Sequence, residues 1–182
     1  DLEVIIENNE KEFLAGLKII SCLTEGKVHL AFKSKKNNND KLLKNLSKIE
    51  KVELHGFSGP HPAGNVGIQI HHIAPIRNAN DIIWSCNVQS VIHIGFFFQT
   101  GQLNTNKLVA VAGPGAKNRK YYKTVIGAPV KDIVEFDESY WQVRYISGNI
   151  LTGKKIDRDG YCGYFDNLLS VIPEVIDREL FG

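Results

Sequence analysis

A chain of 182 residues with a formal charge of +2, 43% hydrophobic and 23% charged side chains has the make-up of an ordinary folded protein, long enough for one good core or two small ones. That balance excludes disorder as the default and gives no support to a nucleic-acid or acidic-membrane partner. Cys22, Cys86 and Cys162 are odd in number and lack Cys-x-x-Cys spacing, which argues against a disulfide framework or zinc ribbon and fits a reducing compartment.

The first elements alternate. Phe13, Leu14, Leu17 and Ile20 fall at helical spacing between Asn8 and Leu23, with Asn9, Lys11 and Glu12 placed for a polar start and Thr24-Glu25-Gly26 as the stop. Val28 to Phe32 reads as a short buried strand, and the Lys/Asn tract from Lys33 to Asp40 as a solvated loop. Leu42, Leu43, Leu46 and Ile49 make a second amphipathic helix, and Val52 to His55 alternates as a strand does. Helix, strand, helix, strand is the rhythm of a parallel α/β sheet. Beyond a glycine-rich loop, Val66 to Ile70 opens either a helix or a strand, Asp81 to Trp84 is strand-like, and Val88, Val91, Ile92 and Phe96 carry a helical repeat up to Thr100-Gly101.

After residue 100 the pattern changes, so we expect two domains, 1–100 and 101–182, with the seam between Thr100 and Asn106. Lys107 to Ala112 and Lys120 to Ile126 read as strands around Gly113-Pro114-Gly115. Gly127-Ala128-Pro129 introduces a short helix, Val130 to Val134, and Val143 to Ile146 and Ile150-Leu151 read as strands again. The second half is thus expected to be a small β-grasp-like α+β unit, ending in an amphipathic stub, Glu174 to Phe181, whose Leu180 and Phe181 would pack on whatever follows. The longest apolar run, Val91 to Phe98, is broken by His93 and Gly95 and falls far short of the ~20 residues of a membrane span. With neither methionine nor leader peptide, the sequence reads as a piece of something longer.

Phe57 to His72 is the most informative stretch. Gly59, Gly64 and Gly67, with Pro60 and Pro62, shape a loop between two apolar segments. Its G-x4-G-x2-G form lacks the Lys-Ser/Thr of a P-loop and the spacing of a dinucleotide fingerprint. The plain account is a rigid turn that lets a helix pack close to a sheet. The functional account is that His61, held between two prolines, is presented from a stiff loop at low entropic cost.

His55, His61, His71 and His72 invite a metal reading, but adjacent His71 and His72 diverge, and no carboxylate or cysteine completes a set along the chain. No metal site and no catalytic residue are therefore assigned. Cys22 and Cys86 are expected to be small buried hydrophobes. Lys117, Arg119, Lys120 and Lys123 around Tyr121-Tyr122 are read as a charged strand edge in preference to a nucleic-acid grip.

Several of these segments occur together in one known family. Leu23-Thr24-Glu25-Gly26-Lys27-Val28, Gly59-Pro60-His61-Pro62-Ala63-Gly64 with His71 downstream, and Val111-Ala112-Gly113-Pro114 resemble the A subunit of the bacterial sodium-translocating NADH:quinone reductase. Thr124 to Ala128, Ile146 to Gly153 and Arg178 to Gly182 extend the resemblance in the same order.

The resemblance implies a partial Rossmann-like parallel-sheet domain followed by a ubiquitin-like, soluble-ligand-binding β-grasp domain. The family's amino-terminal lipoyl-like domain, its carboxy-terminal region and the first Rossmann strand are not in these residues, so an exposed sheet edge is expected. It further implies a peripheral subunit on the cytoplasmic face of the bacterial inner membrane, without a transmembrane segment, docked on other subunits of a sodium-pumping complex. NADH, flavins, iron–sulfur centres and ubiquinone belong to the whole complex; none is expected to be held tightly by this segment, which lacks a cysteine cluster and a flavin attachment motif. One departure matters. The family's loop continues Gly-Thr-His-x-His, whereas here it reads Gly67-Ile68-Gln69-Ile70-His71, so roles of that threonine and first histidine do not carry over.

The expected function is quinone handling or complex assembly, with Gly59, Pro60, His61, Pro62, Gly64, Gly67 and His71 as contact residues and His61 as donor to a quinone carbonyl. The alternatives are a pure docking module, or a subunit of a related Rnf-type electron-transport complex, which would bring cysteine motifs absent from this segment.

Overall fold

The computed structural model describes residues 5–6, 8–34 and 41–174. The Lys/Asn loop beyond residue 34 and the stub beyond residue 174 lie outside the described residues. Packing divides the chain into two compact units, Asp1–Asn104 and Thr105–Gly182, each considered by itself.

In the first unit, helix α1 spans Glu10–Leu23, with Glu10 and Glu12 at its amino-terminal turn, where carboxylates oppose the helix dipole favourably. Its inner face buries Phe13, Gly16, Leu17 and Ser21. Strand β1 (Val28–Lys33) is joined through helix α2 (Lys41–Leu46) to strand β2 (Val52–Phe57). The two strands pair in parallel, Val28 opposite Val52 and Leu30 opposite Leu54. After the loop come helix α3 (Val66–Ile73) and helix α4 (Val88–Thr100). Asn87 caps α4 by accepting the Ser90 N–H at 2.8 Å, and Gly101, at φ 72°, closes it with its N–H on the Phe97 carbonyl.

Phe13, Leu17, Leu46, Ile49, Val52, Val91 and Ile92 form one core, with Val28, Leu30 and Leu54 of the strands packed against it. The helices α1 and α4 touch backbone to backbone. A Cβ on Gly95 would run into the Glu12 carbonyl, and one on Gly16 into the Val91 carbonyl, so glycine is what permits this crossing.

The second unit carries a five-stranded mixed sheet in the order β4-β3-β7-β5-β6, built from β3 (Asn106–Ala112), β4 (Tyr121–Val125), β5 (Val143–Ser147), β6 (Lys154–Ile156) and β7 (Leu168–Pro173), with the short helix α5 (Val130–Ile133) between β4 and β5. The first and last strands, β3 and β7, run parallel at its centre, and the remaining pairs are antiparallel. This is the β-grasp arrangement. Val109, Val111, Val130, Ile133, Tyr145, Leu169 and Val171 fill the core. The expected class, a parallel α/β unit followed by an α+β unit, is the one found.

Two expected strands are absent. Asp81 to Trp84 is irregular: Asp81 Oδ2 accepts the N–H groups of Arg77 at 2.8 Å and Asn78 at 3.2 Å, closing a turn that holds this stretch out of any sheet. Ile150-Leu151 is a turn because Asn149 Oδ1 captures the N–H groups of Leu151 and Thr152. Conversely, β6 and β7 were not expected. Strand β7 is flanked by β3 and β5 and reads as an apolar run broken only by Ser170, without alternation, while β6 is a three-residue edge strand opening with two lysines.

Candidate functional site

The loop leaves β2 at Phe57 and turns at Gly59, whose φ of 137° is a conformation that side chains rarely adopt. Pro60, at φ −64°, leads into a 3-10 turn over His61–Gly64. That turn is tied by the Ala63 N–H on the Pro60 carbonyl at 2.9 Å and the Asn65 N–H on the Pro62 carbonyl at 3.0 Å. Gln69 Nε2 reaches back from α3 to the Ala63 carbonyl at 3.2 Å, so loop and helix hold one another. The open choice at Val66 to Ile70 is resolved as helix.

Gly59, Pro60, His61, Pro62, Gly64, Gly67 and His71 thus lie on one continuous loop–helix segment. The three glycines differ. Gly59 serves the backbone turn, whereas a Cβ on Gly64 or Gly67 would meet nothing within 4 Å. Gly64 and Gly67 are therefore not held by close packing against a described neighbour. Helix α3 has no buried residue; Val66 is 51% and Ile68 40% exposed. The exposed rings of His71 and His72 meet edge to face, 5.5 Å between centroids.

His55 stands elsewhere, on β2. The parallel register sets His29 opposite Glu53 and Ala31 opposite His55, so His29, Glu53 and His55 share the sheet face turned away from Val28, Leu30, Val52 and Leu54. His29 Nδ1 lies 3.0 Å from His55 Nε2 and 3.5 Å from Glu53 Oε2. Lys27 Nζ pairs with the other carboxylate oxygen, Glu53 Oε1. Burial, reinforced by His55 and Lys27 against the opposing pull of Glu53, holds the His29 imidazole below its ordinary value. The hydrogen bond from Lys27 holds the Glu53 carboxyl below its own. Sequence reasoning passed over Glu53, two residues from His55 on the same strand, and had no means of bringing in His29, 26 residues away. The alternation on each strand, placing His29 and the Glu53/His55 pair on polar phases, was the available signal.

Cys22 and Cys86 were expected to be buried, and both are exposed. Cys22 follows the buried Ser21 around α1 onto the outer face, and Cys86 lies in the irregular segment before α4. The half-buried Cys162 instead joins a polar knot: its Sγ–H donates to the Asp166 carbonyl at 3.3 Å, Ser147 Oγ–H donates to Asp166 Oδ2 at 2.6 Å, and Lys107 Nζ donates to the carbonyls of Gly163 and Tyr164. Desolvation holds the Lys107 ammonium below its ordinary value, against the pull of Cys162 and Asp166. Strand β4, which carries Lys123, sits at the sheet edge, and Lys120 Nζ, just before it, lies 5.0 Å from the centroid of the Tyr122 ring.

Comparison with known proteins then places the chain. A family model described as the NqrA second alpha/beta domain matches residues 1–103. The chain belongs to the NqrA family. A second model, the NQRA C-terminal domain, matches residues 108–158. Among curated NqrA relatives, the A subunit of the Na(+)-translocating NADH-quinone reductase of Vibrio campbellii is 39% identical over 181 residues, and that of Vibrio alginolyticus 40% identical over 181 residues. Each match covers 99% of this chain and 39% of the relative. Its counterpart in Psychromonas ingrahamii is 38% identical over 185 residues, covering all of this chain and 39% of the relative. The chain therefore spans about two fifths of the length of these relatives. Among the described residues no helix is long and apolar enough to cross a membrane.

Proposed function

We propose that this chain is the part of an NqrA protein that supplies contacts, without a redox centre of its own, in a sodium-pumping NADH:ubiquinone oxidoreductase. In this reading it is peripheral, on the cytoplasmic face of the bacterial inner membrane, and the other subunits handle NADH, flavins and iron–sulfur centres. The segment from Gly59 to Ile73 is its contact surface.

The unburied apolar helix α3 carries this reading. Eight residues are too few for a stable helix on propensity alone, and α3 buries none of its side chains among the described residues. A partner laid on Val66 and Ile68 would cover the apolar side chains the helix leaves exposed, and the open backbone at Gly64 and Gly67 leaves room for close approach. Exposed Ile82 and Trp84, at 80% and 88%, add apolar surface to the same unit. Quinone is the second occupant to consider, because the hydrogen-bonded turn fixes the backbone around His61, and a quinone needs an apolar wall with one or two donors. Family membership favours this complex over the Rnf-type alternative.

Ile68→Ser and His61→Ala in the whole complex separate the readings. A docking surface predicts that Ile68→Ser lowers co-purification of the other subunits. A quinone contact predicts an intact complex with a raised KM for quinone in His61→Ala. Normal assembly and unchanged quinone kinetics in both variants would remove this segment from either role.

A further inference from the structure

The cluster on the polar face of β1 and β2 has a geometry of its own, independent of the contact surface. His29 Nδ1, His55 Nε2 and Glu53 Oε2 form a triangle with sides of 3.0, 3.5 and 3.9 Å. The point equidistant from the three lies about 2.0 Å from each, the bond length of zinc to imidazole nitrogen and carboxylate oxygen. We infer that His29, Glu53 and His55 form a binding site for a divalent transition ion of the zinc type.

Three features support the assignment besides distance. Lys27 occupies Glu53 Oε1, which fixes the carboxylate and leaves Oε2 turned to the rings, as an outer partner does for a metal-bound carboxylate. The two ring nitrogens face each other at 3.0 Å, an arrangement satisfied without metal only if one of them carries a proton. An ion between them takes both lone pairs and releases that proton. Finally, both histidines are partly exposed, so water can fill the fourth tetrahedral position and the ion has a path in. Two nitrogens and one oxygen suit zinc, nickel or copper, whereas magnesium and calcium require oxygen ligands.

The site was hidden in the sequence because its ligands come from two strands, joined only by register. Among the described residues it is the one group of three or more histidine, cysteine and acidic side chains with converging donor atoms.

The test uses the full-length protein, purified without a histidine tag and stripped with EDTA, titrated with zinc sulfate against a chromophoric chelator. One high-affinity equivalent is expected. His29→Ala and His55→Ala should each weaken it at least about 100-fold, and Glu53→Gln, which keeps shape and the contact with Lys27, about 10-fold. His72→Ala should leave the affinity unchanged. X-ray absorption on the one-equivalent sample should show nitrogen and oxygen neighbours near ~2.0–2.1 Å and no sulfur. Circular dichroism of each variant, matching the parent, ensures that a lost site is not a lost fold. No high-affinity equivalent, zinc bound equally well by His29→Ala and His55→Ala, or competition by a tenfold excess of magnesium would each overturn the inference.

Discussion

Where α1 crosses α4, a Cβ on Gly95 would collide with the Glu12 carbonyl; where the loop runs into α3, a Cβ on Gly64 or Gly67 would meet nothing within 4 Å. The same residue thus stands in two opposite settings within one unit. At the crossing, glycine is demanded by what is already folded around it, and helices in backbone contact leave no slack. At Gly64 and Gly67 no described neighbour demands it, and the apolar helix that follows has no fully buried residue. The crossing is closely packed, and the loop–helix segment is open.

Substitutions put this contrast to the test. The largest effect belongs to the crossing: Gly95→Ala forces the two helices apart and should destabilise by about 3 kcal/mol, in line with severe overpacking, read by urea denaturation of the full chain. A loss under about 1 kcal/mol would mean that the helices are not in backbone contact. Next comes Gly59→Ala, which keeps the loop but strains its turn at φ 137°; a loss of about 1–2 kcal/mol is expected. Gly67→Ala should move the other way, gaining about 0.5–1 kcal/mol, because alanine is the better helix former and meets no obstacle. Destabilisation there would show a neighbour pressing on α3 in the free chain and erase the contrast.

A smaller effect, from the second unit, shows what a completed polar contact does. Arg144 Nε donates to Glu174 Oε2 at 2.9 Å and its NH2 group to Oε1, joining β5 to the end of β7. Hydrogen bonding from Arg144 holds the Glu174 carboxyl below its ordinary 4.5. A carboxyl depressed by folding lends stability in full above its unfolded value and loses it as the pH falls through the folded one. Stability measured from about pH 6 to about pH 2 should therefore have a shallower acid limb in Glu174→Gln than in the parent. Identical limbs would mean that this pair does not couple to folding.

The same contrast explains how much could be read in advance. Elements that bury one face were legible: Phe13 and Leu17 announce α1, Val91 and Ile92 announce α4, and the alternation in Val109 and Val111 announces β3. The glycine-rich loop was legible as a segment, with its seven candidate residues lying along it. Strand β7 was missed, because a strand buried on both faces loses the alternation that marks a strand. Asp81 to Trp84 was misread as a strand, since its apolar residues carry the right composition while Asp81 closes a turn against sheet pairing. The histidine–glutamate cluster was invisible for a third reason: it depends on which residue of β1 stands opposite which residue of β2, and register is set by the whole fold.

On the proposed function, Gly59 to Ile73 is covered in the assembled complex and open in the free protein. Amide hydrogen exchange of the full-length protein, alone and within the purified complex, tests it directly. The account predicts fast exchange across residues 59–73 in the free protein and strong protection in the complex, while Phe13 to Leu17 and Val91 to Gly95 are equally protected in both. Equal, rapid exchange of residues 59–73 in both samples would contradict it.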